Sequence, residues 1–285
     1  MNVYLSNEKF KVSINTLGAE LISFKNQVFN KEYIWEGNPE FWGKHSPVLF
    51  PIVGGLKDDC YYYNDKKHSL SRHGFARDFE FEIIEKTELI AIFSLKENAA
   101  TLLKYPFQFE LQIKYELIDN KLILNYLIIN NATVKMPFNI GAHPAFSLPK
   151  PFENYSLKFE KQEQLITHEL ENNLFAGKTR TIALNNNELP LKYSLFEKDA
   201  LVFKKLKTKS VTILDDGNPL LRVNYKDFSS LGIWTVKNAA FICIEPWIGF
   251  ADTSTSNGNL FDKENIETLA PNKTFMTSFE IEILL

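Results

Sequence analysis

Scarcities bound this chain before any motif does. Its two cysteines, Cys60 and Cys243, stand far apart in sequence, which gives neither a disulfide framework nor a zinc-ligand spacing and fits a reducing cytoplasm. Only four of its 32 basic residues are arginine (Arg72, Arg77, Arg180 and Arg222), and the 35 acidic residues are interspersed among them. With a formal charge of −3, no basic face for nucleic acid is visible. The longest apolar runs, 122–129 and 239–251, fall short of the roughly 20 residues a membrane helix needs, and each has a polar break. Residues 1–15 mix Glu8, Lys9 and Lys11 into apolar alternation, unlike the continuous apolar core of a signal peptide. These absences predict a soluble, cytoplasmic protein that binds neither nucleic acid nor membrane.

What is abundant is strand-forming sequence. Hydrophobic residues make up 45% of the 285, with 24 Phe and 11 Tyr, enough for a sizeable core. From 107 to 117 every odd position is apolar or aromatic (Phe107, Phe109, Leu111, Ile113, Tyr115, Leu117) and every even one polar, the period of a half-buried strand. Asp119-Asn120 then turns the chain into 122–129, whose apolar residues on both faces predict a central strand covered on both sides. Phe10, Val12 and Ile14 alternate likewise, as do Phe79, Phe81 and Ile83, and Phe275, Phe279, Ile281 and Ile283. Further strands are expected over 19–27, 88–96, 155–161, 164–170, 199–205, 209–215, 219–225, 230–236 and 241–245. Helix signals are few: Asn98 caps a short helix to Tyr105, before Pro106, and Pro39 opens a single turn through Trp42. The pattern predicts an all-β fold, a large antiparallel β-sandwich with few short helices. No repeat, low-complexity tract or linker divides the chain, and Asn185-Asn186-Asn187 reads as a loop, so residues 1–285 are expected to form a single domain.

Four stretches put polar groups where an ordinary strand would not. In 139–146, Asn-Ile-Gly-Ala-His-Pro-Ala-Phe, His143 has an unperturbed pKa of about 6.5. Pro144 disfavours the helical region for it, and Gly141 leaves room for another group to approach the backbone. Taken alone, His143 is equally well explained as a hydrogen-bonded turn histidine. In 241–252 a single carboxylate among apolar neighbours, Glu245, precedes Pro246; burial raises a carboxyl's pKa until it can exchange protons near neutrality. Residues 71–78, Ser-Arg-His-Gly-Phe-Ala-Arg-Asp, hold two of the four arginines. Arg72 or Arg77 could clasp a phosphate or carboxylate, and His73 could meet a hydroxyl or ring oxygen, although solvated surface charge would give the same pattern. In 47–57 the prolines interrupt a ladder and Gly54-Gly55 admits close approach, which fits a sheet-edge crossover better than a binding role. Trp234 and Trp247 offer flat apolar faces, suited to a sugar's C–H face and equally to the core.

The succession His73-Gly74-Phe75, Gly141-Ala142-His143-Pro144 and Cys243-Ile244-Glu245-Pro246-Trp247 resembles the aldose 1-epimerase (galactose mutarotase) family, especially its LacX-like, mutarotase-related branch, over nearly the whole chain. The resemblance implies a galactose mutarotase-like supersandwich that binds a small sugar, an aldohexose such as galactose or glucose, in an open cleft without a metal or organic cofactor. It implies that protonated His143 is the acid at the ring oxygen and Glu245 the base at the C1 hydroxyl, with the roles reversed on ring closure. His73 would position the sugar, Arg72 would contact its hydroxyls and Trp234 would form a stacking wall.

The segment from His73 to Arg77 also resembles the hexose-6-phosphate branch, in which basic residues hold the phosphate, so Arg77 keeps a phosphorylated sugar open. Two departures bear on substrate choice. Gly55 stands where related sequences often have arginine, which removes one sugar contact or leaves Lys57 to substitute. No motif identifies an acidic residue that grips hydroxyls, Asp252 and Asp215 being the candidates. A non-catalytic sugar-binding protein of the same fold is the alternative of another class, and the retention of both His143 and Glu245 argues against it. A glycosidase would need two flanking carboxylates, and only Glu245 has a fitting setting. A metal site from His73, His143 and Glu245 has no ligand-spacing motif behind it. Oligomeric state has no signature in the sequence.

Overall fold

The computed structural model describes residues 1–284. The hairpin expected around Asp119-Asn120 forms from Phe109–Ile118 and Lys121–Asn130, in register from Phe109↔Asn130 to Ile118↔Lys121. Asp119 takes the left-handed conformation that such a tight turn needs, with φ 51°. The second strand is central, between Phe109–Ile118 and Thr274–Ile283, but the cover expected on both its faces is partial. Its buried positions alternate with half-buried ones, and Ile123, Leu127 and Ile129 lie on the half-covered face. Their shielding comes from cross-strand partners such as Gln112 opposite Leu127 and Glu116 opposite Ile123.

This hairpin sits in a nine-stranded antiparallel sheet. Its order is Glu188–Pro190, Tyr155–Phe159, Ser210–Asp215, Asn218–Asn224, Thr274–Ile283, Lys121–Asn130, Phe109–Ile118, Ile90–Lys96 and Glu82–Lys86. A second antiparallel sheet runs Leu201–Phe203, Ser230–Trp234, Phe241–Ile248, Ile140–Ala142 and Val48–Leu49, with Ala145–Ser147 also paired to Phe241–Ile248. Apolar residues of both sheets, among them Phe109, Leu111, Leu124 and Ile281 from the first and Ile140, Leu231, Ile242 and Ile244 from the second, meet in one core. That is the sandwich arrangement the alternation predicts. Asn2–Ser6, Phe10–Asn15, Glu20–Asn26 and Lys31–Glu32 form a further sheet. The short helix Ala99–Lys104 is capped by Asn98, whose side chain accepts from the Ala100 and Thr101 N–H groups. Among the described residues no helix is long and apolar enough to cross a membrane.

Two expectations are corrected. Phe79 and Phe81 do not belong to a sheet ladder: the Gly18 N–H donates to the Phe79 carbonyl and the Phe81 N–H donates to that of Thr16, and the strand begins at Glu82. Backbone bonds to the N-terminal segment replace the ladder that alternation suggested. The strand expected over 241–245 runs on through Pro246 to Ile248. The Ile244 N–H donates to the Pro144 carbonyl, so Pro246, two residues on, turns its nitrogen to the same side. There the neighbouring backbone passes from Ala145–Ser147 to Ile140–Ala142, and the missing N–H falls in the gap between them.

Candidate active site

Phe241–Ile248 is buried at all eight positions and serves two faces. Ile242, Ile244 and Ile248 join the main core, whereas Cys243 and Trp247 pack into separate clusters on the opposite side, the side to which alternation also turns Glu245. The group for which Gly141 leaves room is the Trp247 indole. A Cβ on Gly141 would lie 2.8 Å from its Cδ1, and one on Gly232, opposite Glu245, would lie 2.6 Å from its Cζ2. Between the two short strands that flank Phe241–Ile248, the chain breaks at His143-Pro144. The break brings His143 Nε2 to 3.2 Å from Glu245 Oε2.

Both members of this pair are buried, with 7% and 1% of their surfaces exposed. Burial, with the Arg72 and Arg77 guanidiniums adding to it, pushes His143 down to about 3. Burial pushes the Glu245 carboxyl well above the usual carboxylate range, with Arg72 opposing. Both shifts oppose ionisation, so burial favours the neutral forms of the two groups, and at 3.2 Å they act as a coupled unit rather than two independent titrations.

His73 is clasped by the segment 47–57, which is more than a crossover: Val48–Leu49 is an edge strand, and Gly54 bonds His73 reciprocally. The His73 N–H donates to the Gly54 carbonyl at 2.9 Å, and the Gly54 N–H faces His73 Nδ1 at 3.1 Å. Arg72 Nε faces the other ring nitrogen, also at 3.1 Å. A neutral imidazole accepts at one nitrogen only. Because the backbone amide is fixed, Nδ1 is the acceptor and Nε2 carries the hydrogen, which leaves Arg72 as the partner that must move. Burial, then the nearby Arg72, keeps the His73 pKa well below its ordinary value. Arg72 also donates to Asn173 Oδ1 at 2.8 Å, and Arg77 donates to the Arg72 carbonyl at 2.9 Å.

A pocket of about 150 Å³ brings Arg72, His73, Arg77, His143 and Trp234 together with Trp42. Trp42 was not among the sequence candidates. It stacks on His143 with ring centroids 4.8 Å apart and meets the Trp234 ring edge-on at 5.7 Å. Its only signal was an aromatic pair, Phe41-Trp42, inside a predicted turn. Asn173 was also missed. It sits with Asn172 in a left-handed turn joining Leu165–Glu171 to Leu174–Ile182, the second of which had no legible alternation. A Cβ on Gly55 would lie 3.0 Å from the Asn173 carbonyl oxygen, so this turn takes the space beside Gly55 and brings an amide to Arg72.

The candidates for an acidic sugar ligand lie elsewhere. Asp252 is buried against Lys263 at 3.3 Å, and Asp215 pairs with Lys150 at 2.6 Å on the nine-stranded sheet. Lys57 donates to the Ser256 carbonyl at 3.3 Å rather than filling in for an arginine at 55. The side chains close enough to hold a metal also differ from those weighed in the sequence: they are His143, Cys243 and Glu245, while both nitrogens of His73 face N–H groups.

The model of a family described as aldose 1-epimerase matches residues 1–254. The plasmid and chromosomal forms of protein LacX from Lactococcus lactis subsp. lactis are each 37% identical over 300 residues, covering 100% of both sequences. Among solved structures, a galactose mutarotase related enzyme from Lactobacillus acidophilus superposes with a TM-score of 0.95 at 34% identity, over 100% of this chain and 98% of that one. A galactose mutarotase-like protein from Lactobacillus casei ATCC 334 gives 0.94 at 30% identity, over 100% of both.

Proposed function

The chain belongs to the aldose 1-epimerase family, and from that premise we propose that it interconverts the α and β anomers of a free aldohexose, such as galactose or glucose, by acid and base catalysis. The observation that carries the reading is the buried His143–Glu245 contact at 3.2 Å, which sets the carboxylate against a histidine that lines the pocket. In the resting pair burial favours the proton on Glu245; transfer across the contact places it on His143. His143 gives that proton to the ring oxygen as the bond from C1 to that oxygen breaks, and Glu245 takes the proton of the C1 hydroxyl. The open-chain aldehyde turns about C1–C2 and recloses by the reverse transfers, which restores the pair. His73 Nε2–H and Arg72 hold sugar oxygens, and Trp234 and Trp42 flank the ring.

The test is Glu245→Gln, assayed by polarimetry of freshly dissolved α-glucose or α-galactose. The folded variant should lose about 10²–10⁴-fold of the acceleration; a wild-type rate would refute the assignment. Sugar binding by the wild type without any acceleration would instead favour a binding protein. A second reading, a hexose 6-phosphate as substrate, is favoured by Arg72 and Arg77 lining the same pocket. Under it, Arg77→Ala should slow the phosphorylated sugar far more than the free one.

A further inference from the structure

We infer that His143, Cys243 and Glu245 form a binding site for a thiophilic divalent cation, Zn²⁺ or Cd²⁺, whose occupation blocks the proton pair. The inhibition rests on the function proposed above; the site itself does not. One donor atom from each of the three lies within 4.8 Å of the other two. The 3.2 Å between His143 Nε2 and Glu245 Oε2 already matches the roughly 3.3 Å edge of a tetrahedron with metal–ligand bonds of about 2.0–2.1 Å. The backbone presets the arrangement: Cys243 and Glu245 are two apart on one strand and so share a face, and the Ile244 N–H holds the Pro144 carbonyl beside His143 at 3.3 Å. Apart from its 3.2 Å contact with His143 Nε2, Glu245 Oε2 is buried without a hydrogen-bond partner among the described residues.

The charges determine which cation fits. A thiolate and a carboxylate offset a divalent ion, so the buried complex is neutral, and the imidazole suits the same borderline metals. Binding sends the thiol proton and the proton shared by the pair into solvent. Arg72 and Arg77 oppose the cation, Asp199 favours it, and His73, with its nitrogens turned to Gly54 and Arg72, takes no part. A cation enters by way of His143, whose side chain is 9% exposed, and water completes its coordination. With the metal seated, His143 Nε2 and the carboxylate are no longer free to move protons.

Untagged protein titrated with Co²⁺ should take up one equivalent and develop the near-ultraviolet thiolate-to-cobalt charge-transfer band, which Zn²⁺ then displaces. The band should vanish in Cys243→Ser and persist in Cys60→Ser, Cys60 lying apart against the Lys57 carbonyl. If Cys243→Ser does not fold, Cys243→Ala serves in its place. Zn²⁺ should bring wild-type mutarotation down to the uncatalysed rate and a chelator should restore it, while the Cys243 variant works equally well with and without Zn²⁺. No band in the wild type, a band that survives loss of Cys243, or equal inhibition of both proteins would overturn the proposal. If metal-free wild type shows no mutarotation, the functional reading falls and the cobalt titration still decides the site.

Discussion

Replacing Glu245 by Gln should change how stability depends on pH, by an amount that follows from the buried pair. In the unfolded chain Glu titrates near about 4.3 and His near about 6.5. In the folded protein Glu245 is raised well above that range and His143 is pushed down to about 3. From about pH 4.3 to about pH 6.5 the unfolded groups hold one proton, on the histidine, and the folded pair also holds one, so the pair contributes no slope. Above about pH 6.5 the unfolded chain holds none, and for as long as the raised Glu245 carboxyl keeps its proton, stability falls as pH rises, by up to about 1.4 kcal/mol per unit. Below about pH 4.3 the unfolded chain holds two protons against one, and stability falls as pH drops. In Glu245→Gln only the histidine remains: the variant loses stability as pH falls below about 6.5 and is flat above it. Between about pH 5.5 and about pH 7.5 the wild type should therefore lose stability relative to the variant, by up to about 3 kcal/mol if the Glu245 carboxyl stays protonated throughout. Urea unfolding of both proteins at the two pH values, at one ionic strength, reads this directly. An unchanged difference would mean that Glu245 is ionised in the folded protein, and the reasoning from burial would be wrong.

Three further outcomes are expected. Trp42→Ala uncovers His143, so its imidazole should titrate closer to about 6.5 by NMR, and an unmoved titration would show that the stacked ring adds nothing to its desolvation. Asn173→Ala removes the acceptor that holds Arg72; KM should rise roughly threefold to tenfold with kcat little changed, whereas a fall in kcat alone would contradict a positioning role. Lys263→Met strands the buried Asp252 carboxylate and should cost about 3–5 kcal/mol in urea unfolding, most of it recovered by adding Asp252→Asn. Additive losses in that double variant would refute the pairing.

The elements legible in the sequence are those whose information is local. Strict alternation located Phe109–Ile118, and a lone carboxylate in an apolar run located Glu245, because period and burial cost are properties of neighbouring residues. Trp42 and Asn173 escaped because turn residues have no period, and their partners, His143 and Arg72, are about 100 residues away. The same limit hid the extension of the strand through Pro246. A proline is tolerated there because of where two other strands end, which no window of sequence contains.

The strand Phe241–Ile248 turns alternate residues to the core and to the candidate site, so the two cannot be tuned independently. A substitution at Ile244 that leaves a void would shift the backbone from which Glu245 projects, and a screen for activity would score it as an active-site lesion. Thermostability work on this chain would do better to begin on the nine-stranded sheet, at positions such as Phe93 or Leu124. No strand of that sheet carries a residue lining the pocket, and gains there would register as stability alone.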